Sequence, residues 1–275
     1  MDDAAVWIEN RPSGGRRALS LRELLERREL AWFLAGRDLK VRYKQALLGA
    51  SWSILQPIVG ALALTVVFHT VADVGSEGIP YLPFAMLGFA VWTLFARSVT
   101  TATASLVSNA ALITKVYFPR LLLPVAAVLP NLVDAAVALL PIAVAMAVTG
   151  VAPTAAMVTL PVWLALVTLA GLGLGLVFAT LNVRFRDAGA VIGLLVQLLF
   201  FLSPVAYPAS ALDGAAEWAY YLNPMAGLIG AARWSMLGTP WPGWPMVVSL
   251  ATTAALLVIG PQVFRRGERR FADVI

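Results

Sequence analysis

Six stretches of this 275-residue chain are apolar enough to lie in lipid, and each is close to the length of a bilayer crossing. They fall at roughly 47–71, 81–103, 119–148, 155–181, 189–206 and 245–264. A helix rises 1.5 Å per residue, so about 20 apolar residues bridge a hydrocarbon core of about 30 Å. The first four stretches reach that length and the last two come near it. Charged residues make up 13% of the chain and mean hydropathy is +0.82, whereas soluble domains carry about 25% charge. A soluble fold of this size has no way to hide so much apolar surface. The expected fold class is therefore an all-α membrane protein with six transmembrane helices.

Charge placement gives the orientation. Ten of the twenty Lys and Arg residues precede the first span, and eighteen fall on one side of a six-span chain. Only Arg97, inside the second span, and Arg233, in an outer segment, escape this bias. Cationic loops stay on the cytoplasmic face, so both termini are expected there.

Two segments are neither spans nor simple loops. Residues 20–46 read as a basic amphipathic helix lying in the interface, after a disordered cytoplasmic stretch at 1–19. Ser20 and Glu23 have capping-box spacing, and Leu21, Leu24, Leu25, Trp32, Leu39 and Tyr43 share one face. Gly36 is a candidate break. Such a helix either anchors on anionic lipid or also contacts a partner. Residues 203–245 are too aromatic for a solvated loop and too rich in Pro and Gly for a span. They read as two short helices dipping into the outer leaflet, or as an aromatic belt anchoring the last span. Residues 265–275 form a basic tail on the cytoplasmic side.

Asp134, in the third span, and Arg97 each cost about 2.5–3.5 kcal/mol at the centre of a helix in lipid. The long stem of Arg97 can snorkel towards water. Asp134 either lines a pathway or accepts a hydrogen bond from a neighbouring helix. Two isolated charges do not make a proton relay. Gly171, Gly173 and Gly175 permit close helix packing. The chain has no cysteine and a single histidine, which excludes disulfides, thiolate metal sites and a histidine cage. No G-x-x-x-x-G-K-[ST], H-E-x-x-H or G-x-S-x-G is present, so neither a phosphate cradle nor a catalytic constellation is expected. Any work across the membrane must draw energy from a partner.

Several motifs follow one another along the chain. RYKQ is followed by LGASWSILQP, then NAALITKVYFPRLLLP after span two, LNVRFRD after span four, SPVAYP, YLNPM and a terminal FADVI. In this order they resemble the membrane subunit of ABC-2-type exporters of polysaccharides, the permeases for O-antigen, teichoic acid and related cell-envelope glycans. The resemblance runs from about residue 25 to the end. It implies a six-span domain at 47–264, a homodimeric channel in the bacterial inner (plasma) membrane, and two copies of a separate ATPase that binds ATP and Mg. No cofactor is expected in this chain. The cargo would be a lipid-linked polysaccharide leaving the cytoplasm.

The same resemblance implies a coupling helix at about 104–115 that fits a groove on the ATPase. Ser105, Ser108 and Asn109 would allow close docking, Leu106, Leu112 and Ile113 would supply apolar anchors, and Lys115 would hold the end at the headgroups. Tyr43, Trp52, Gln56, Phe200, Phe201 and Tyr207 fall near the implied path, and outer gate helices are implied at about 203–243. An ABC-2 permease for a small amphiphile would have the same fold. A scaffold or a membrane-embedded enzyme is a remoter alternative.

Overall fold

The computed structural model describes residues 27–44, 51–115, 118–185, 187–209 and 214–274, with side chains in the last helix described to residue 268. The N-terminal stretch 1–19, the capping pair Ser20 and Glu23, the leucines at 21, 24 and 25, and Arg186 lie outside the described residues. Among the described residues the chain is all helix, without strands.

Helix α1 (Arg28–Lys44) continues through Gly36 without a break. It packs on α5 (Leu122–Thr149). The packed face is Ala31, Leu34 and Ala35, while Trp32 and Phe33 are 66% and 71% exposed. The expected apolar face is thus rotated. Small residues bring α1 close to α5, and the two large rings are left for the lipid boundary, where such rings settle.

The first apolar stretch forms α2 (Ser51–Leu64), which passes directly into a π-helical turn at Thr65–Val71. Helix α3 (Tyr81–Ser108) is the central element, with 72% of its apolar window buried against 17% for the α2 span. It packs on α2, α5, α6 (Leu160–Arg184) and α9 (Pro224–Leu237). The short α4 (Ala110–Lys115) follows α3. Helix α5 tolerates Pro130 and Pro141 because neighbouring helices cover it, and left-handed Gly150 ends it.

The glycine stripe of α6 is a packing device. A Cβ at Gly171 would lie 2.7 Å from Ser98 Cβ, and one at Gly175 2.6 Å from Ala102 Cβ, both on α3. One at Gly173 would lie 2.8 Å from the Leu256 backbone, on α10 (Met246–Val274). Helix α6 is therefore held at near-backbone contact between two neighbours.

Among the described residues, five helices are long and apolar enough to cross a membrane. The fifth expected span is shorter. It forms α7 (Ala188–Phe201), 14 residues, or about 21 Å, and the chain then turns at Leu202–Tyr207. Pro204 and Pro208 lie in and just after this turn, and Ser203 N donates to Phe200 O at 3.2 Å where the helix closes. Beyond this turn come α8 (Ala215–Tyr220) and the largely buried α9. The last helix extends past residue 264 to Val274, so the expected tail continues the final span.

Candidate coupling and translocation site

Asp134 is 4% exposed and is the hub of a polar cluster. Arg97, on α3, donates from Nη1 to its Oδ2 at 2.8 Å, and Arg42, on α1, donates to the same oxygen. Tyr43 donates its hydroxyl to Oδ1, and Ser53, on α2, reaches that oxygen at 3.3 Å. A second tier holds the arginines. Gln56 Oε1 accepts from Arg97 Nη2 at 2.6 Å, and Asn131 Oδ1 accepts from Arg42 Nη1 at 3.2 Å. Asn131 in turn donates to Thr101 Oγ1 at 3.0 Å. One carboxylate therefore ties α1, α2 and α3 to α5. Burial, together with the nearby Asp134 carboxylate, raises the Tyr43 phenol above its ordinary value, so it remains a donor. No buried side-chain nitrogen or oxygen among the described residues lacks a partner.

Of the expected path residues, Tyr43 and Gln56 belong to this cluster. Beside it runs a groove of about 510 Å³, lined by Gln56, Phe89, Trp92, Thr93, Arg97 and Phe200, among others. The Phe200 ring meets Phe89 at 6.2 Å and Trp92 at 5.7 Å, both edge-on. Phe201 packs edge-on to Phe200 and is 61% exposed. Trp52 is 57% exposed on α2. Tyr207 lies farther out. It donates to Phe201 O at 3.0 Å and accepts from Tyr220 at 3.0 Å. Of the six residues, Tyr43 and Gln56 are in the polar cluster, Phe200 and Phe201 in the aromatic wall, Tyr207 pairs with Tyr220, and Trp52 stands apart on α2.

Arg233 lies on α9 and is 2% exposed. Its guanidinium donates to the carbonyls of Phe84, Pro204, Val205 and Tyr207, at distances from 2.7 to 3.4 Å, and lies 3.4 Å from the Phe84 ring centroid. Three of those carbonyls belong to the turn after α7. Irregular backbone at membrane depth needs its polar groups covered by protein, and Arg233 covers them. Asn223 completes the hook. It caps α9 by accepting from Met225 N at 3.0 Å, and donates to Leu202 O and Ser203 Oγ at 2.9 and 2.8 Å. Pro224 occupies the first helical position, where its missing N–H costs nothing. SPVAYP and YLNPM are therefore the two halves of one joint. Charge counting treated Arg233 as a loop cation. Its placement amid apolar residues was the available signal of burial, but its partners lie up to 149 positions away.

The coupling segment differs from expectation. Helix α3 runs on through Ser108, the chain kinks at Asn109, and only Ala110–Lys115 forms a separate helix. Ser105 and Leu106 are buried in α3 and present nothing outward. Leu112 and Ile113 are half-buried and lean on the cluster that includes Leu34 and Phe118. These leucine and isoleucine side chains fix the short helix to its own core because apolar burial there outweighs solvent contact. The outward face consists of Val107, Ser108, Ala111, Thr114 and Lys115. Asn109 Oδ1 accepts from Arg37 Nη2 at 2.9 Å, so the kink is tied to α1.

Residues 29–237 match the protein-family model described as ABC-2 type transporter. The chain is 31% identical over 259 residues to the O-antigen export system permease protein RfbA of Myxococcus xanthus, spanning 93% of this chain and 98% of that protein. It is 28% identical over 248 residues to an identically named protein of Klebsiella pneumoniae, spanning 90% and 95%.

Proposed function

The chain belongs to the ABC-2 type transporter family, and from this premise we propose that it is the channel-forming membrane subunit of an ATP-driven polysaccharide exporter. The observation that carries this reading is near end-to-end similarity to permeases named for O-antigen export. The cargo is a lipid-linked glycan moving out of the cytoplasm through the bacterial inner membrane, along a path between two copies of this chain. A separate ATPase, also in two copies, binds ATP and Mg on the cytoplasmic side. The membrane subunit itself catalyses nothing.

The geometry suggests how the work is transmitted. Closure of the ATPases presses on the outward face of α4, at Ala111, Thr114 and Lys115. The Arg37–Asn109 bond passes that push to α1. Arg42 and Tyr43, further along α1, hold Asp134, so movement of α1 loads α5, α2 and α3 together. The wall of Trp92, Phe89 and Phe200 offers rings to the C–H faces of sugars, contacts without fixed polar partners that let a polymer slide. Deleting the gene in its host tests the reading. Polysaccharide should accumulate inside and vanish from the cell surface, with rescue by the intact chain. Normal surface polysaccharide in the deletion strain would refute it, and a selective loss of resistance to a small amphiphile would point to efflux.

A further inference from the structure

The cluster around Asp134 does not balance its charge. Two guanidinium groups, Arg42 and Arg97, share one carboxylate. The remaining members, Tyr43, Ser53, Gln56 and Asn131, are neutral. Both arginine side chains keep about a third of their surface open, 34% and 30%, while the Asp134 side chain keeps 5%. The cluster therefore presents excess positive charge outward and hides its negative group.

That excess opens onto a defined space. Arg97 and Gln56 line the aromatic groove beside α3 and α7. Gln56 uses its oxygen on Arg97, which leaves its amide N–H groups as donors. The hydroxyls of Thr93 and Thr100 are spent on carbonyls of their own helix, which leaves Arg97 and Gln56 as the charged and amide donors lining the groove. Depth matters as well. Arg97 lies about 17 Å along α3 from the Ser108 end. A planar, always-charged fork at that depth beside apolar rings suits a phosphate group on an amphiphile.

We propose that the groove between α3 and α7 binds the phosphate or diphosphate headgroup of a lipid-borne substrate, with Arg97 and Gln56 as its donors and Arg42 supplying field. The aromatic wall then lies where the group attached to the phosphate would rest. The exporter reading supplies the natural ligand, a phosphate-linked lipid carrier, but the anion site itself stands on the cluster's charge and the groove.

The test uses the purified full-length chain in phosphatidylcholine nanodiscs and geranylgeranyl diphosphate as probe. Binding should saturate, and geranylgeraniol, which lacks the phosphates, should bind at least about tenfold more weakly. Thr100 bonds only the carbonyls of Ala96 and Arg97, so Thr100→Glu places an anion in the groove, one turn from Arg97, without removing a side-chain bond of the Asp134 cluster. It should weaken the probe about tenfold or more at an unchanged melting temperature. Arg97→Gln should do the same, and where that variant fails to fold, Thr100→Glu decides. Competition by sodium diphosphate would assign recognition to the headgroup alone. Competition by phosphatidylglycerol nanodiscs would extend it to bulk anionic lipid, and both results keep phosphate as the ligand. Equal binding of alcohol and diphosphate, or full affinity in Thr100→Glu, would overturn the site and leave the exporter reading standing. A deletion strain with normal surface polysaccharide would do the reverse.

Discussion

Replacing Asp134 with Asn keeps the shape of the hub and removes its charge. Arg42 and Arg97 both donate to the same carboxylate oxygen. Two nitrogens bonded to one oxygen lie about 5 Å apart or less, where like charges repel by roughly 3 kcal/mol at an effective dielectric near 20. The parent carboxylate offsets that repulsion; a neutral amide does not. Removing one partner of a fully buried ion pair costs about 3–5 kcal/mol. Here each arginine keeps about a third of its side chain open, and water reduces the figure. A net loss of about 2–3 kcal/mol follows, or about 4–6 °C in melting temperature for a chain of this size. Thermal unfolding of the purified full-length protein, followed by intrinsic fluorescence, reads it directly. Adding Arg97→Gln removes one of the two repelling cations, so the double variant should melt at or above Asp134→Asn alone. A shift below about 1 °C for Asp134→Asn would refute the reasoning, because the carboxylate would then not be holding the two cations together.

At Gly88, an added Cβ would crowd the Arg233 guanidinium and lie 2.7 Å from Val205 O. Gly88→Ala should therefore cost about 1–3 kcal/mol, seen as a lower melting temperature. Ala111→Asp with Lys115→Glu changes only the outward face of α4. It should reduce ATPase co-purification several-fold at unchanged melting temperature, whereas Leu112→Asp should lower the melting temperature itself. Phe201→Ala removes an exposed ring and should alter stability by no more than about 0.5 kcal/mol, yet slow polysaccharide display in a complementation assay. Gly173→Leu should force α6 off α10 and give little folded protein, read as loss of the monodisperse peak in size-exclusion chromatography.

Hydropathy made five of the six apolar stretches legible, because length and composition alone decide whether a helix can lie in lipid. The remaining one, the fifth, shows where that reasoning stops. Residues 189–206 look continuous by hydropathy, but the helix ends at Phe201 and the chain turns through Leu202–Tyr207. The cost of Asp134 in lipid was visible in the sequence, and so was the need for a partner. Which partner was not visible, because Arg42 lies 92 positions away and on a helix outside the spans. The bounds of the coupling segment were hidden for a different reason. Ser105 and Leu106 follow the small-and-apolar pattern of a docking helix, but that pattern also describes the packed end of a span. Only the burial of both residues separates the two.

Helix α3 brings the two polar centres into one account. Near its outer end, the Phe84 carbonyl and the space at Gly88 receive Arg233. Thirteen residues further on, about 20 Å along the same rod, Arg97 holds Asp134. Just past Arg97, Gly171 and Gly175 draw α6 against Ser98 and Ala102 of the same helix. A close-packed helix of this kind shifts as a unit and does not bend locally. In the proposed exporter, a displacement of α1 would act on Arg97 first, through Asp134, and α3 would carry it towards the Arg233 joint. That joint holds the one stretch of irregular backbone that follows a short span, which is where a small shift has the fewest helical hydrogen bonds to break.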